Sequence, residues 1–185
     1  MTAPVLTTER LVLRQLRAGD LDAHMALFNT PAVMRHLGGV WPREVIAEKH
    51  AASRASFATE GFGFMMAEER ETGDIVAHCG LRPVVHPCAP NPGDHEIGWL
   101  VREDRWRMGY AYEAMRAVVD WGFAVHAAPH LVAITIDRNV GSQGLMQKLG
   151  MQRRADLDFP ENNQKPDLNH NIVYVITRQQ WIDRI

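Results

Sequence analysis

The segment Trp106-Arg107-Met108-Gly109-Tyr110-Ala111 combines residue types that could hold an anionic ligand. It separates a predicted strand from a predicted helix, so its amides would include the unpaired N–H groups of a helix N-terminus. These groups and the positive end of the helix dipole favour phosphate. Gly109 allows close backbone approach, while Arg102, Arg105 and Arg107 add positive charge. On these residues alone, an anion site and an ordinary structural turn remain equally good interpretations.

Two common phosphate-binding motifs are absent from the sequence. No Gly-x-Gly-x-x-Gly follows an early strand, which excludes the dinucleotide-binding fingerprint. No Gly-x-x-x-x-Gly-Lys-Ser/Thr is present either, which excludes the P-loop. An anion would therefore be held by another kind of glycine turn.

The elements that would position this turn follow from the hydrophobic pattern. Residues 95–102 predict a strand in which Gly98 indicates a bulge or a close backbone approach. Residues 109–125 predict a helix with Val125 on its buried face, and Asp20 predicts the N-cap of an earlier helix. Further strands are predicted at 10–17, 62–68, 75–82, 131–136, 151–159 and 172–177, and further helices at 21–28, 31–37, 42–59 and 139–149. This order favours a single α/β or α+β sheet over a bundle or a sandwich.

The composition excludes several classes of protein. A chain of 185 residues predicts one domain over residues 1–185, and 46% apolar with 23% charged residues is ordinary for a soluble protein. The net charge of −2, without a basic half, argues against nucleic-acid binding. No long apolar run occurs in residues 1–13, so we expect no signal sequence and no membrane span, and a cytoplasmic protein.

The cysteine content agrees with a reducing compartment, because Cys79 and Cys88 do not make a disulfide framework. Together with His78 and His86 they are zinc-ligand types. Adjacent residues of a strand point to opposite faces, so His78 and Cys79 could not easily share one ion. We therefore expect no metal site.

The motifs together resemble those of the GNAT acetyltransferase superfamily, specifically its RimJ/RimL-like branch. The pyrophosphate motif of that family is Gln/Arg-x-x-Gly-x-Gly/Ala, with Trp common at the first position in this branch, and residues 106–111 match it. Arg107 stands where the branch often has glycine. The other matches are Thr8-Glu9-Arg10-Leu11-Val12-Leu13-Arg14, Thr72-Gly73-Asp74-Ile75, Cys79-Gly80-Leu81, Glu96-Ile97-Gly98-Trp99, Asn139-x-x-Ser142 and Lys148-Leu149-Gly150-Met151. They cover nearly the whole chain in the family's order.

The resemblance implies a mixed, largely antiparallel sheet of about seven strands flanked by helices. It implies that the fourth and fifth strands splay apart and that acetyl-CoA enters between them. Backbone groups of Trp99, Leu100 and Val101 would pair with the pantetheine arm, which Asn139 would reach from the other side. At the turn, the cofactor-binding residues would be Trp106, Arg107, Met108, Gly109, Tyr110, Ala111 and Tyr112.

The reaction implied is direct attack of an amine on the thioester within a ternary complex. It requires that the amine lose a proton and that the leaving thiolate gain one. Glu96 is the candidate base, acting through a water, although a strand-end glutamate in a salt bridge or a hydrogen bond is the alternative. Met146 stands where many GNAT enzymes have a tyrosine that acts as the general acid. Ser142 is therefore the candidate partner of the cofactor sulfur, and helix capping is its alternative role.

The acceptor stays open at this point. It could be a protein N-terminus, as the branch suggests, or a small amine such as an amino acid, a polyamine or a drug. An alternative function of another class is a non-catalytic acyl-CoA-binding module, which Met146 and the uncertain base favour. We expect a monomer or a homodimer that binds acetyl-CoA and an amine, without nucleic-acid or membrane partners.

Overall fold

The computed structural model describes residues 3–126, 128–161 and 170–184. These residues contain nine strands: β1 (Pro4–Thr7), β2 (Leu11–Gln15), β3 (Phe64–Glu69), β4 (Ile75–Pro83), β5 (His95–Val101), β6 (His130–Ile136), β7 (Gln152–Arg153), β8 (Phe159–Pro160) and β9 (His170–Thr177). They also contain five α-helices: α1 (Asp20–Leu27), α2 (Arg43–Thr59), α3 (Tyr110–Val125), α4 (Val140–Lys148) and α5 (Arg178–Ile182). Short 3-10 helices lie at Val33–His36, Glu103–Arg105 and Ala155–Leu157.

The strands form one mixed sheet in the order β1-β2-β3-β4-β5-β6-β9-β7, with β8 also paired to β9. The pairs β1–β2, β2–β3, β3–β4, β6–β9, β7–β9 and β8–β9 are antiparallel, whereas β5 and β6 are parallel. The predicted mixed, largely antiparallel sheet with flanking helices is therefore confirmed.

The sheet has two strands more than the seven predicted. The short strand β1 is absent from the prediction, and the single strand predicted at 151–159 is replaced by β7, a 3-10 helix and β8. Local ion pairs explain the interruption. Arg154 binds Asp156 two residues later, and Arg153 binds Asp158, so the side chains favour a turn over an extended backbone.

The chain divides into two compact units. The first contains the residues up to Arg82 together with Gly98–Val118, and the second contains Pro83–Ile97 and the residues from Val119 on. Strand β5 contributes to both, and in the second unit Glu96 pairs with Val132 of β6. The single domain over residues 1–185 and the splay between these two strands stay predictions.

The first unit has an ion-pair network beside its apolar core. Leu16, Phe28 and Met66 form a buried cluster. Helix α1 begins at Asp20, whose carboxylate accepts hydrogen bonds from the Arg14 guanidinium at 2.6 and 2.8 Å. The predicted N-cap role of Asp20 is wrong, because the residue lies inside the helix and its carboxylate is bound to the buried arginine.

The second unit packs its strands around an apolar cluster. The buried members are Val84, Val132, Phe159, Val173 and Val175. The residue Val125 is exposed, so its predicted place on the buried face of α3 is wrong. As the last residue of the helix it lies beyond the buried stripe, whereas Met115 and Val118 are fully buried. None of the helices in the described residues is long and apolar enough to span a membrane.

Candidate functional site

The turn between β5 and α3 is anchored by its first residue. After the 3-10 helix Glu103–Arg105, the Trp106 indole N–H donates a 2.7 Å hydrogen bond to the Val101 carbonyl. The bond ties the turn to the end of β5, and it also engages one of the carbonyls expected to pair with pantetheine. The Trp106 side chain remains 42% exposed. The turn is thus fixed at its start and open to solvent.

Two residues of the turn have a left-handed backbone. Gly109 has φ 86°, a conformation for which glycine is suited. Arg107 has φ 65° and is the non-glycine residue with positive φ among the residues described. Such a conformation costs an L-residue roughly 1–2 kcal/mol. A left-handed backbone at this position suits the glycine that the RimJ/RimL-like branch often has there. In this chain the turn has the same backbone conformation with arginine.

The start of α3 directs backbone donors outward. The first hydrogen bond of the helix runs from the Glu113 N–H to the Gly109 carbonyl at 3.0 Å. The amides of Tyr110, Ala111 and Tyr112 belong to the first turn, where no carbonyl of the same helix is available to accept from them. With the dipole of a 16-residue helix behind them, these groups make an electropositive end suited to an anion.

Arg10, which precedes β2, clamps this turn. Its backbone N–H and its Nε–H each donate a 2.7 Å hydrogen bond to the Glu113 carboxylate. Its Nη1–H donates to the Met108 carbonyl at 3.1 Å. The Thr8 hydroxyl adds a 2.6 Å hydrogen bond to Glu113. One guanidinium therefore joins the backbone of the turn to the first turn of α3.

Tyr110 completes the same clamp. The Arg10 guanidinium lies 4.3 Å from the centre of the Tyr110 ring, and the Tyr110 hydroxyl donates to the Glu69 carboxylate. Burial alone would raise the pKa of Glu113, but the hydrogen bonds from Thr8 and Arg10 outweigh it and hold this pKa below its ordinary value. Glu113 therefore stays ionised and keeps hold of the arginine at neutral pH.

The positive charge around the turn differs from the expectation. Arg102 pairs with Asp104 at 2.7 Å, and Arg105 lies 3.5 Å from both Asp104 and Asp74. These pairs reduce the charge that the two arginines offer to a ligand. Arg107, by contrast, makes no side-chain hydrogen bond or ion pair with the described residues, and its side chain is exposed. Arg107 is thus the arginine that best suits an anion at the turn, since Arg10 is engaged by Glu113 and the Met108 carbonyl.

The end of β5 leads to the turn through a tightly packed position. A Cβ at Gly98 would lie 2.7 Å from Cζ of Phe64, so the ring occupies the space of a side chain. Gly98 is thus closely approached by a side chain, the Phe64 ring, whereas the sequence predicts a bulge or a close approach of backbone. Beyond it, Trp99 and Leu100 are partly exposed and Val101 is buried.

The remaining predicted residues lie in the second unit. Glu96 is buried on β5. Asn139 is the N-cap of α4, and its Oδ1 accepts a 3.2 Å hydrogen bond from the Ser142 N–H. Capping is thus done by Asn139, whereas the Ser142 hydroxyl has no hydrogen-bond partner among the described residues. Met146 is buried, so this side chain is part of the core.

A match to a protein-family model identifies the family of this chain. Residues 10–152 match the model described as an acetyltransferase (GNAT) domain, which is more than half of the chain. The chain belongs to the GNAT acetyltransferase family. It is an acetyltransferase by this membership, and members of the family use acetyl-CoA.

Individual relatives agree with the GNAT assignment. The chain is 29% identical over 157 residues to the uncharacterized N-acetyltransferase YoaA of Bacillus subtilis (strain 168), covering 83% of this chain and 86% of the relative. An acetyltransferase structure from Agrobacterium tumefaciens str. C58 has a TM-score of 0.79 at 26% identity, covering 96% of both chains. A spermidine N-acetyltransferase from Vibrio cholerae, solved with CoA and spermine, has a TM-score of 0.71 at 14% identity and shares the fold, covering 94% of this chain and 98% of its own.

Within this GNAT chain, the first unit brings together one set of the predicted site residues. They are Trp99, Leu100, Val101, Trp106, Arg107, Met108, Gly109, Tyr110, Ala111 and Tyr112. The other set, Glu96, Asn139 and Ser142, belongs to the second unit. Sequence analysis missed the clamp formed by Thr8, Arg10 and Glu113. The motif around Arg10 indicates an opening strand, and no pattern in it pairs this arginine with a helix 103 residues later.

Proposed function

We propose that this GNAT enzyme transfers an acetyl group from acetyl-CoA to a primary amine. The observation that carries the proposal is the turn at 106–111, which has left-handed residues at Arg107 and Gly109, leads into the N-terminus of α3 and is clamped by Arg10. The pyrophosphate of acetyl-CoA would accept hydrogen bonds from the amides of Arg107 to Tyr112, with the Arg107 guanidinium beside it. Trp99, Leu100 and Val101 would offer backbone groups to the pantetheine arm.

The chemistry we propose is a direct transfer. The amine nitrogen attacks the thioester carbonyl carbon, a tetrahedral oxyanion forms, and the C–S bond breaks to give the amide and the CoA thiolate. Glu96 would take the proton of the amine through a water. The Ser142 hydroxyl would donate a hydrogen bond to the departing sulfur, for which it is available because none of the described residues binds it. Asn139 would contact the pantetheine with the part of its amide that does not cap α4.

A covalent acetyl-enzyme on Cys79 is disfavoured by the burial of its thiol. Burial raises the pKa of the Cys79 thiol to about 12, so at neutral pH the nucleophilic thiolate is scarcely populated. Cys79 is fully buried on β4. This supports the ternary-complex route, in which both substrates bind before any bond breaks.

For the acceptor we propose a primary amine on a protein N-terminus, following the resemblance to the RimJ/RimL-like branch, or on a small molecule. The spermidine N-acetyltransferase acts on a polyamine, which makes polyamines a useful part of the same screen.

The test has two stages. Thermal unfolding is first measured with and without acetyl-CoA, and thiol release is then followed with a panel of peptides, amino acids, polyamines and aminoglycosides. We expect stabilisation by acetyl-CoA and thiol release with at least one amine class. If acetyl-CoA stabilises the protein but no amine causes thiol release, the result would favour the non-catalytic acyl-CoA-binding module. An absence of stabilisation, with Gly109→Glu behaving like the parent, would contradict the cofactor site itself.

A further inference from the structure

Three buried histidines meet in the first unit, and none of them belongs to the turn at 106–111. His24 lies on α1, His50 on α2 and His78 on β4, and their exposed fractions are 4%, 2% and 8%. The ring centres are 4.9 Å apart for His24–His50 and for His24–His78, and 5.6 Å for His50–His78. Histidine is rarely this buried, and three such rings in contact require a physical explanation.

The ring nitrogens converge. His24 Nδ1 lies 3.0 Å from His50 Nε2, and one nitrogen from each of the three rings lies within 4.8 Å of the others. The rings of Phe28 and Phe64 pack at the edge of the cluster, with centres 6.3 and 5.2 Å from that of His78. The nitrogens therefore face one another in apolar surroundings.

The tautomer of His78 follows from its partner. His78 Nδ1 lies 3.2 Å from the Met65 carbonyl, which can only accept a hydrogen bond, so Nδ1 carries the proton. The Nε2 of a neutral His78 then carries a lone pair. A backbone carbonyl on one ring nitrogen with a lone pair on the other is the arrangement typical of a metal-binding histidine.

The cluster holds more lone pairs than protons to satisfy them. Three neutral imidazoles carry three N–H groups and three lone pairs, and His78 uses its N–H on Met65. Among the three rings, one lone pair must therefore remain without a donor. Because the His24–His50 hydrogen bond uses one proton, one of the outer nitrogens His24 Nε2 and His50 Nδ1 carries a proton and the other a lone pair, and both are buried without a hydrogen-bond partner within the described residues. The surplus lone pair of the cluster is costly, which points to a ligand that accepts lone pairs.

We propose that His24, His50 and His78 bind one divalent transition-metal ion, with zinc as the natural candidate, in a site separate from the cofactor turn. Imidazole suits zinc, and three protein ligands with an open fourth position form a recurrent zinc site. This departs from the expectation of no metal. It also replaces the zinc-ligand set weighed in the sequence, because His78 meets His24 and His50 while Cys79 is buried on the same strand.

Two features set the limits of the site. With Zn–N bonds of about 2.0–2.1 Å, two nitrogens on one tetrahedral ion lie roughly 3.4 Å apart. The His24–His50 pair at 3.0 Å must therefore open slightly, and nitrogens as far as 4.8 Å apart must come closer, both by side-chain rotation. The positive charges of Arg54 and Arg82 oppose a cation near His50 and His78, whereas Asp20 favours one near His50. We expect one ion per chain.

The experiment uses the full chain without a polyhistidine tag, stripped with EDTA and then loaded with Co²⁺ or Zn²⁺. The metal-to-protein ratio is measured by inductively coupled plasma mass spectrometry after gel filtration. The coordination of Co²⁺ is determined from its visible d–d absorption bands. We expect one ion per chain, four-coordinate Co²⁺ bands and a rise in Tm with Zn²⁺. A parent protein that retains no metal would overturn the proposal.

The variants His24→Gln and His50→Gln should each abolish the Co²⁺ bands and the Zn²⁺-dependent rise in Tm. His36→Gln is the matched control, because this histidine lies outside the cluster on the 3-10 helix Val33–His36, and it should bind like the parent. Equal metal binding in all three variants would place the ion elsewhere and contradict the assignment. If the cluster variants do not fold, X-ray absorption of the zinc-loaded parent decides, since fewer than three imidazole ligands would exclude this site. The test makes no use of acetyl transfer, so its outcome is independent of the proposed function.

Discussion

Arg10 and Glu113 are joined by two hydrogen bonds of 2.7 Å across 103 residues of sequence. Through this pair, the segment before β2 holds the first turn of α3, and through Met108 it holds the backbone of the preceding turn. The shape of the turn at 106–111 therefore depends on a residue outside the motif 106–111. Arg10 is a positioning residue in this arrangement.

Removing the clamp should weaken cofactor binding more than it slows chemistry. Arg10→Ala leaves the turn without its tie to Glu113 and Met108. We expect the Kd for acetyl-CoA to rise about tenfold, equivalent to roughly 1.4 kcal/mol, with kcat within about twofold of the parent. Calorimetric titration and steady-state kinetics would measure both. Arg35→Ala, which removes an exposed arginine from a 3-10 helix, is the control. Equal effects in the two variants would mean that the clamp has no special role.

The left-handed backbone at Arg107 separates shape from charge. Arg107→Gly and Arg107→Ala both remove the guanidinium, but the glycine relaxes a backbone at φ 65°. We expect the glycine variant to unfold at higher urea concentration, with a stability about 0.5–1 kcal/mol above that of the alanine variant. If the guanidinium binds phosphate, both variants should lose affinity for acetyl-CoA and show a weaker salt dependence. Identical stabilities would argue that the turn is not strained.

The proposed catalytic residues should separate from the cofactor residues in kinetics. Glu96→Gln keeps the size of a buried side chain but removes the base. We expect kcat to fall at least about 100-fold at a similar KM for acetyl-CoA, within the range for general bases. Ser142→Ala should lower kcat about tenfold while leaving the Asn139 cap intact, because that cap uses the Ser142 backbone N–H. A variant with unchanged turnover would lose its assigned role.

The Arg14–Asp20 pair should make the free energy of unfolding depend on pH in the acid range. Burial by itself would raise the pKa of Asp20, but hydrogen bonds from the Arg14 side chain and the Arg17 N–H bring it below its ordinary value of 3.8. The contribution to stability is therefore complete above that value and is lost as the pH falls through the lower folded-state pKa. Asp20→Asn should cost about 3 kcal/mol at pH 7, because Arg14 stays buried with one partner fewer.

Urea unfolding between pH 2.5 and 7 would measure this dependence. The acid-induced loss of stability should be smaller in Asp20→Asn than in the parent. Asp22→Asn is the comparison, since that carboxylate lies on the same helix in an exposed pair with Arg43. A parallel pH dependence in parent and Asp20→Asn would show that Asp20 is not the responsible group.

Sequence reasoning succeeds here where short-range patterns decide the structure. The strand ending at Val101, the glycine turn at Gly109 and the stop at Gly150 follow from local conformational preferences. The hairpin β3–β4 follows from the turn residues around Gly73. These features depend on residues that are close in the sequence. They can therefore be predicted from the spacing of apolar residues and from the positions of turn residues.

The features that sequence reasoning missed depend on packing between distant segments. The Arg10–Glu113 clamp can be predicted only when the relative positions of β2 and α3 are known. The charged residues of each segment are equally typical of a solvent-exposed surface. The histidine cluster joins α1, α2 and β4, and each histidine by itself is typical of a partly buried core position. Asp20 was misassigned for the same reason, since its partner Arg14 lies on a strand whose side-chain direction only the register settles.

The anchoring of Trp106 gives the protein a built-in optical reporter. Its indole N–H is held by the Val101 carbonyl while the ring stays half exposed beside the turn. A ligand settling over the turn would replace water around this ring and shift its emission without any label. The chain has five tryptophans, and loss of the emission change in Trp106→Phe, measured at acetyl-CoA concentrations that saturate the variant, would assign the signal to Trp106. Binding could then be timed in milliseconds, separately from the reaction that follows it.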